Sequence, residues 1–303
     1  MKHNLKITFI LLTMFIVTQF IGLYVVNHYV NQEHELPYGM ETPEIQEEND
    51  FYRIFPSLII AFVIAITLIF FLTKFKAEFF LKLWFFVVVI IALGITFNSI
   101  LGNFSLRYSA LIALLIAIPL AYIKTYKTEF LIHNLTELFI YPGIAAVFVP
   151  ILNIWTIIIL LILISIYDMW AVWHSGIMQK MAKFQINKLK VFAGFFVPYV
   201  SKKVREKIKK IKQMPKSKQK KFKNKKIRAN VAVLGGGDVI FPIITAGVML
   251  KTIGFIPALF VLVGATLGLS YLFFWAEKKK FYPAMPFITT GIFAGMLVYV
   301  AVF

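Results

Sequence analysis

Of the chain's 303 residues, 60% are hydrophobic and only 15% are charged, against roughly 25% charged in a soluble domain, and the mean hydropathy is +0.80. These values exclude a water-soluble globular fold and make lipid the solvent for most of the chain. The absence of cysteine removes disulfides, thiolate metal sites and cysteine nucleophiles.

In lipid every backbone polar group needs a partner within the protein, and long apolar runs without strand alternation select helices over a barrel. A spanning helix requires about 20 apolar residues. Nine runs approach that length: 5–26, 54–72, 81–101, 110–123, 130–152, 154–173, 231–250, 253–275 and 282–303. The fourth is short and the fifth starts polar. The first is longer than the core of a signal peptide and no small-x-small site follows it, so it is read as an uncleaved span. The predicted fold class is an all-α membrane protein with nine transmembrane helices. Six lie in an N-terminal part (1–178) and three in a C-terminal part (230–303), joined by a basic loop (179–229).

The 32 basic residues exceed the 14 acidic ones, and their distribution is that of a topology signal. With the N-terminus cytoplasmic, all but Arg53, Arg107 and Lys251 fall in cytoplasmic segments, 19 of them between Lys180 and Arg228. That is the positive-inside pattern, and it leaves the C-terminus external. The first external loop holds seven acidic residues and no basic one, as a solvated connector would. The polybasic stretch suits anionic lipid, attracted by about 1 kcal/mol per charge, better than nucleic acid. Val191, Phe192, Phe195, Phe196 and Val197 within the loop suggest a short amphipathic or re-entrant segment at the interface.

Ionisable groups are costly inside a membrane, so those found there are functional candidates. Seven acids lie in the external loop, Glu78, Glu129, Glu206 and Glu277 lie in cytoplasmic segments, and Glu137 sits in the polar start of span five near His133. Asp168 and Asp238 remain, each flanked by apolar sequence. Span six meets the cytoplasmic interface near Trp173, which puts Asp168 roughly 8 to 9 Å deep, and span seven counted from Asn230 puts Asp238 roughly 12 Å deep. The two share a layer on antiparallel helices. Carboxylates about 3 Å apart hold one proton between them, the condition under which one activates a water while the other donates to a peptide carbonyl. Ser165 and His174 share no clear face with an acid to complete a triad. Gly235, Gly236 and Gly237 clear side chains from beside Asp238. Pro242 leaves the Asp238 carbonyl without its helical donor.

Tyr167-Asp168 in span six, Gly235-Gly236-Gly237-Asp238 in span seven and Pro283-Ala284-Met285-Pro286 opening span nine resemble the YD, GxGD and PAL signatures of the presenilin and signal peptide peptidase family. Their order, their spans and the basic loop between the first two make the combined match specific, and it covers the second half of the chain best. The resemblance implies an intramembrane aspartyl protease. Asp168 and Asp238 would be its catalytic pair, Tyr167 a neighbour of the dyad, and Pro283, Ala284 and Met285 a substrate-positioning turn. Met285 departs from the family's leucine at nearly equal volume. A literal Pro257-Ala258-Leu259 lies inside the apolar run of span eight and is read as a chance match. The cytoplasmic N-terminus resembles presenilins rather than the inverted signal peptide peptidases, and implies substrates that span with their N-terminus outside.

No cofactor and no metal is expected. The expected partners are transmembrane protein or peptide substrates and the bilayer, with anionic lipid at the basic loop and no nucleic acid; self-association stays open. The alternative function is a proton or cation transporter or channel, because paired membrane aspartates also build proton relays. A prepilin-type peptidase shares the GxGD signature but matches the other two motifs less well. The two prolines of the span-nine motif disfavour helix before them, so residues 282–286 are expected to be extended, with carbonyls free to grip an unwound substrate.

Overall fold

The computed structural model describes residues 5–30, 34–41, 43, 48–75, 77–104, 106–127, 129–175, 193–199, 230–276 and 282–303. Nine α-helices occur among them, in the order α1 (Leu5–Val30), α2 (Glu48–Lys74), α3 (Glu78–Gly102), α4 (Ser109–Tyr122), α5 (Phe130–Phe148), α6 (Ile154–Trp170), α7 (Gly236–Thr252), α8 (Phe255–Trp275) and α9 (Met285–Val302). Two strands, β1 (Gly194–Tyr199) and β2 (Asn230–Gly235), stand between α6 and α7. Most of the basic stretch, with Val191 and Phe192, lies outside the described residues.

Among the described residues, seven helical segments are identified as long and apolar enough to cross a membrane, among them α1, α3, α8 and α9. Large apolar side chains such as Leu115, Leu131 and Val300 stay at least 70% exposed, the surface expected when lipid tails are the outer solvent. The interior gathers on α7, which packs against α1, α5, α6, α8 and α9 and buries most of its length, including Ile243, Ala246 and Val248.

Local chemistry fixes the helix ends. Between α5 and α6 the chain stops being helical and restarts at Asn153, whose side chain accepts from the Thr156 amide at 2.8 Å while the Thr156 hydroxyl accepts from the Asn153 amide at 2.9 Å. That reciprocal pair satisfies two donors left over at a helix start. Gly254 joins α7 to α8 at φ 137°, a conformation side chains rarely allow. Helices α8 and α9 meet backbone to backbone at Gly264, Gly268, Gly291 and Gly295, with no room for a Cβ at any of them, the small-residue packing that membrane helices use.

The structure differs from the sequence reading at span seven. Residues 231–235 are strand rather than helix, pairing antiparallel with β1 from Gly194 opposite Gly235 to Tyr199 opposite Asn230. Asp238 therefore lies in the first turn of α7, and the depth counted along a helix from Asn230 does not apply. Phe195, Phe196 and Val197 of the expected amphipathic or re-entrant segment form strand: Phe195 and Val197 are buried, and Pro198 is exposed, a period of two. A short apolar run does not reveal by periodicity alone whether it is helix or strand.

Candidate active site

Asp168 sits in the last turn of α6 and is 6% exposed. Its carboxylate accepts the backbone amide of Met285, at 3.1 Å to Oδ2, and the Ala284 amide stands beside it. Those donors exist because α9 begins there: the first amides of a helix have no partner within it. Pro283 is buried just ahead of the helix and Pro286 stands in its first turn, where a missing N–H costs nothing. Three residues before Asp168, the Ser165 hydroxyl donates to the Thr289 hydroxyl at 2.9 Å. The end of α6 is thus tied twice to the start of α9.

The expectation of an extended 282–286 segment is corrected here. Ala284 is in the right-handed helical region and α9 starts at Met285. The Met285 amide of the turn faces Asp168.

Asp238 is half-buried. The three glycines before it have three different surroundings. A Cβ on Gly235 would stand 3.2 Å from Asp238 Oδ2. One on Gly236 would come within 2.8 Å of the Tyr141 hydroxyl, whereas one on Gly237 would meet only the Phe241 ring, at 3.8 Å. Gly236 is therefore a packing glycine, and Gly237, exposed, keeps the surface beside Asp238 open. Behind the aspartate, Gln19 of α1 donates to the Val239 carbonyl at 3.0 Å with both groups buried.

The structure joins Asp168 to Ala284 and Met285 directly, and α7, which carries Asp238, packs on both α6 and α9. Tyr167 is 46% exposed and lies against Trp170, their ring centroids 6.4 Å apart, on the outward side of α6. Pro257-Ala258-Leu259 falls in the first turn of α8, about 20 Å along α7 from Asp238 at 1.5 Å per residue. Among the described residues no three His, Asp or Glu side chains converge as a metal site would require.

The chain matches the family described as signal-peptide peptidase, presenilin aspartyl protease over residues 12–303. It belongs to that family. Two solved structures share the fold, both of a presenilin family intramembrane aspartate protease, in different space groups. One is 18% identical with a TM-score of 0.62, the alignment covering 98% of this chain and 99% of the other. The second is 18% identical with a TM-score of 0.61, covering 97% of each. No curated protein matches the chain. The protein is an integral, multi-pass membrane protein of presenilin-like fold.

For this presenilin-family chain, the sequence reading missed Ser165 as a tie to α9, Gln19 on α7, and the burial of Lys124. Lys124, one of the cytoplasmic basic residues of the sequence, has a side chain 2% exposed and paired with Glu137. Spacing gave a partial signal: His133, Glu137 and Tyr141 recur every four residues, so they share a face of α5.

Proposed function

We propose that the protein hydrolyses peptide bonds within transmembrane segments, with Asp168 and Asp238 as a dyad that shares one proton. The ionised member draws a proton from water as that water attacks the peptide carbonyl, and the protonated member donates to the carbonyl oxygen. The observation that carries this reading is the bond from the Met285 amide to the Asp168 carboxylate. Two of the three motifs meet there in space, and the helix bearing the third packs on both.

A peptide bond in a helix is shielded by its own hydrogen bonds, so a substrate must unwind before it is cut, and the extended chain then needs new partners. The two-stranded sheet supplies a place for them. Asn134 occupies the outer edge of β1, its amide donating to the Phe196 carbonyl at 2.8 Å and its oxygen accepting the Phe196 amide at 2.9 Å. Among the described residues, the edge left for strand addition is that of β2, which runs directly into Gly235 and Asp238. In this reading Pro283, Ala284 and Met285 hold Asp168, Gly237 leaves room for substrate, Tyr167 precedes Asp168 in the chain with its ring turned outward, and Gly235 lets the Asp238 carboxylate fold back over the chain. The charge distribution orients the N-terminus and basic segment to the cytoplasm, with anionic lipid against that segment and substrates entering with their N-terminus outside.

The test is incubation of the purified protein in detergent with a transmembrane peptide, with and without a transition-state inhibitor of aspartyl proteases, across a pH series. Inhibitor-sensitive cleavage with a bell-shaped pH profile is expected. Proton or cation flux in vesicles without any peptide product would instead favour a transporter.

A further inference from the structure

Lys124 and Glu137 are 2% and 1% exposed, and charges so deep are retained only when closely paired. The Lys124 ammonium, in a π-helical turn that continues α4, donates to Glu137 Oε1 and also lies 3.4 Å from His133 Nδ1. His133 Nε2 is 2.8 Å from the Gly194 carbonyl of β1. One arrangement of protons satisfies all of these contacts: Lys124 donates to Glu137 and to the lone pair of Nδ1, and the Nε2 proton goes to Gly194. Asn134, the next residue, grips Phe196 of the same strand by both of its backbone groups.

The same face of α5 continues one turn on to Tyr141. This residue is 3% exposed and sits edge-on to Phe195 of β1, with ring centroids 5.9 Å apart. Its hydroxyl lies beside Glu137 and within electrostatic reach of Asp238, and it fills the space that a side chain at Gly236 would need. Neither that hydroxyl nor Glu137 Oε2 completes a hydrogen bond of good geometry. Polar capacity is thus held in reserve beside the turn that carries the second aspartate.

We propose that Lys124, His133, Glu137 and Tyr141 form a buried polar strut along α5 that positions both the β1–β2 sheet and the Gly235–Asp238 turn, with Lys124 as the counter-charge that holds Glu137 in place. These are positioning residues, since the strut acts through the strand and the turn. The inference deepens the proteolytic reading and rests on it for its kinetic arm only.

A buried ion pair lends itself to a clean test. Removing one partner strands the other charge, whereas replacing both by apolar residues of similar volume is often neutral for stability. The full chain in detergent is compared with the Lys124→Met/Glu137→Leu double variant and with Tyr141→Phe, which keeps the ring and loses only the hydroxyl. The double variant is expected to melt near the wild-type temperature, to exchange amide hydrogens faster in 194–199 and 230–235, and to lose about tenfold in kcat with KM nearly unchanged, a drop that a slight misplacement of catalytic groups produces. Tyr141→Phe is expected to lower kcat in the same way. Wild-type exchange and wild-type kcat in a stably folded double variant overturn the strut. Should the double variant not fold, wild-type kcat in Tyr141→Phe overturns it alone. A wild-type protein that cleaves no peptide removes the proteolytic reading, and the exchange rates still decide the strut.

Discussion

Asp168 is almost fully buried, accepts the Met285 amide from the start of α9 and has the Ser165–Thr289 bond one turn away, whereas Asp238 stands half-buried in the first turn of α7 behind three glycines. The first is held at the junction of α6 and α9; the second lies where a strand gives way to a helix. Two chemically identical groups thus stand in different backbone settings. Damage to the α6–α9 junction should disturb Asp168 through lost donors, and damage to the glycine turn should disturb Asp238 through steric displacement.

The largest effect is expected at the carboxylates themselves. Asp168→Asn and Asp238→Asn should each reduce cleavage of a transmembrane peptide by about a thousandfold or more, as removal of a member of a concerted catalytic set does. Asp168→Ala also removes the acceptor of the Met285 amide at the start of α9 and should cost about 1 kcal/mol of stability, seen as a lower melting temperature in detergent; an unchanged melting temperature would show that this contact does not hold the start of α9.

Next comes Pro283→Ala. Without the proline, α9 can extend backward, and the Ala284 and Met285 amides then turn to carbonyls of the new helical turn instead of Asp168. Turnover should fall about tenfold or more, on the scale of misplacing a catalytic group. Met285→Leu nearly conserves volume at a 3% exposed position and should cost less than about 1.5 kcal/mol with little change in rate. Wild-type turnover in Pro283→Ala would show that Asp168 does not depend on that turn.

The glycines sharpen the other half of the comparison. Gly236→Ala forces a methyl to within 2.8 Å of the Tyr141 hydroxyl and should destabilise by about 1 to 3 kcal/mol as overpacking does, with loss of activity. Gly237→Ala meets nothing nearer than 3.8 Å and should gain up to about 1 kcal/mol from reduced freedom of the unfolded chain. If Gly237 leaves room for substrate, that stabler variant should also show a raised KM. The smallest effect is expected for Ser165→Ala and Thr289→Val, each about 1 kcal/mol for one buried hydrogen bond. The double variant should cost less than the sum, because the two hydroxyls share one bond.

Hydropathy and the cost of burying charge carried the reading of the sequence a long way. Nine apolar runs correspond to nine helices among the described residues, with boundaries moved by a few residues at most ends. The order of the three short motifs led to the family that the whole-chain match shows. Exclusion from lipid is a property of each segment by itself, so it can be read along the chain: an acid in an apolar run is conspicuous whatever the run packs against.

Pairings between distant residues have no such local sign. The β1–β2 sheet joins segments more than thirty residues apart, and its apolar composition reads equally as helix. The bonds from Ser165 to Thr289, from Gln19 to the Val239 carbonyl and from Lys124 to Glu137 span 124, 220 and 13 positions, and each donor and acceptor taken singly is an ordinary polar group. The sequence by itself determined which groups could not face lipid without a partner. Only the folded chain decided which partner each received, because a hydrogen bond is short and directional and depends on where two helices cross.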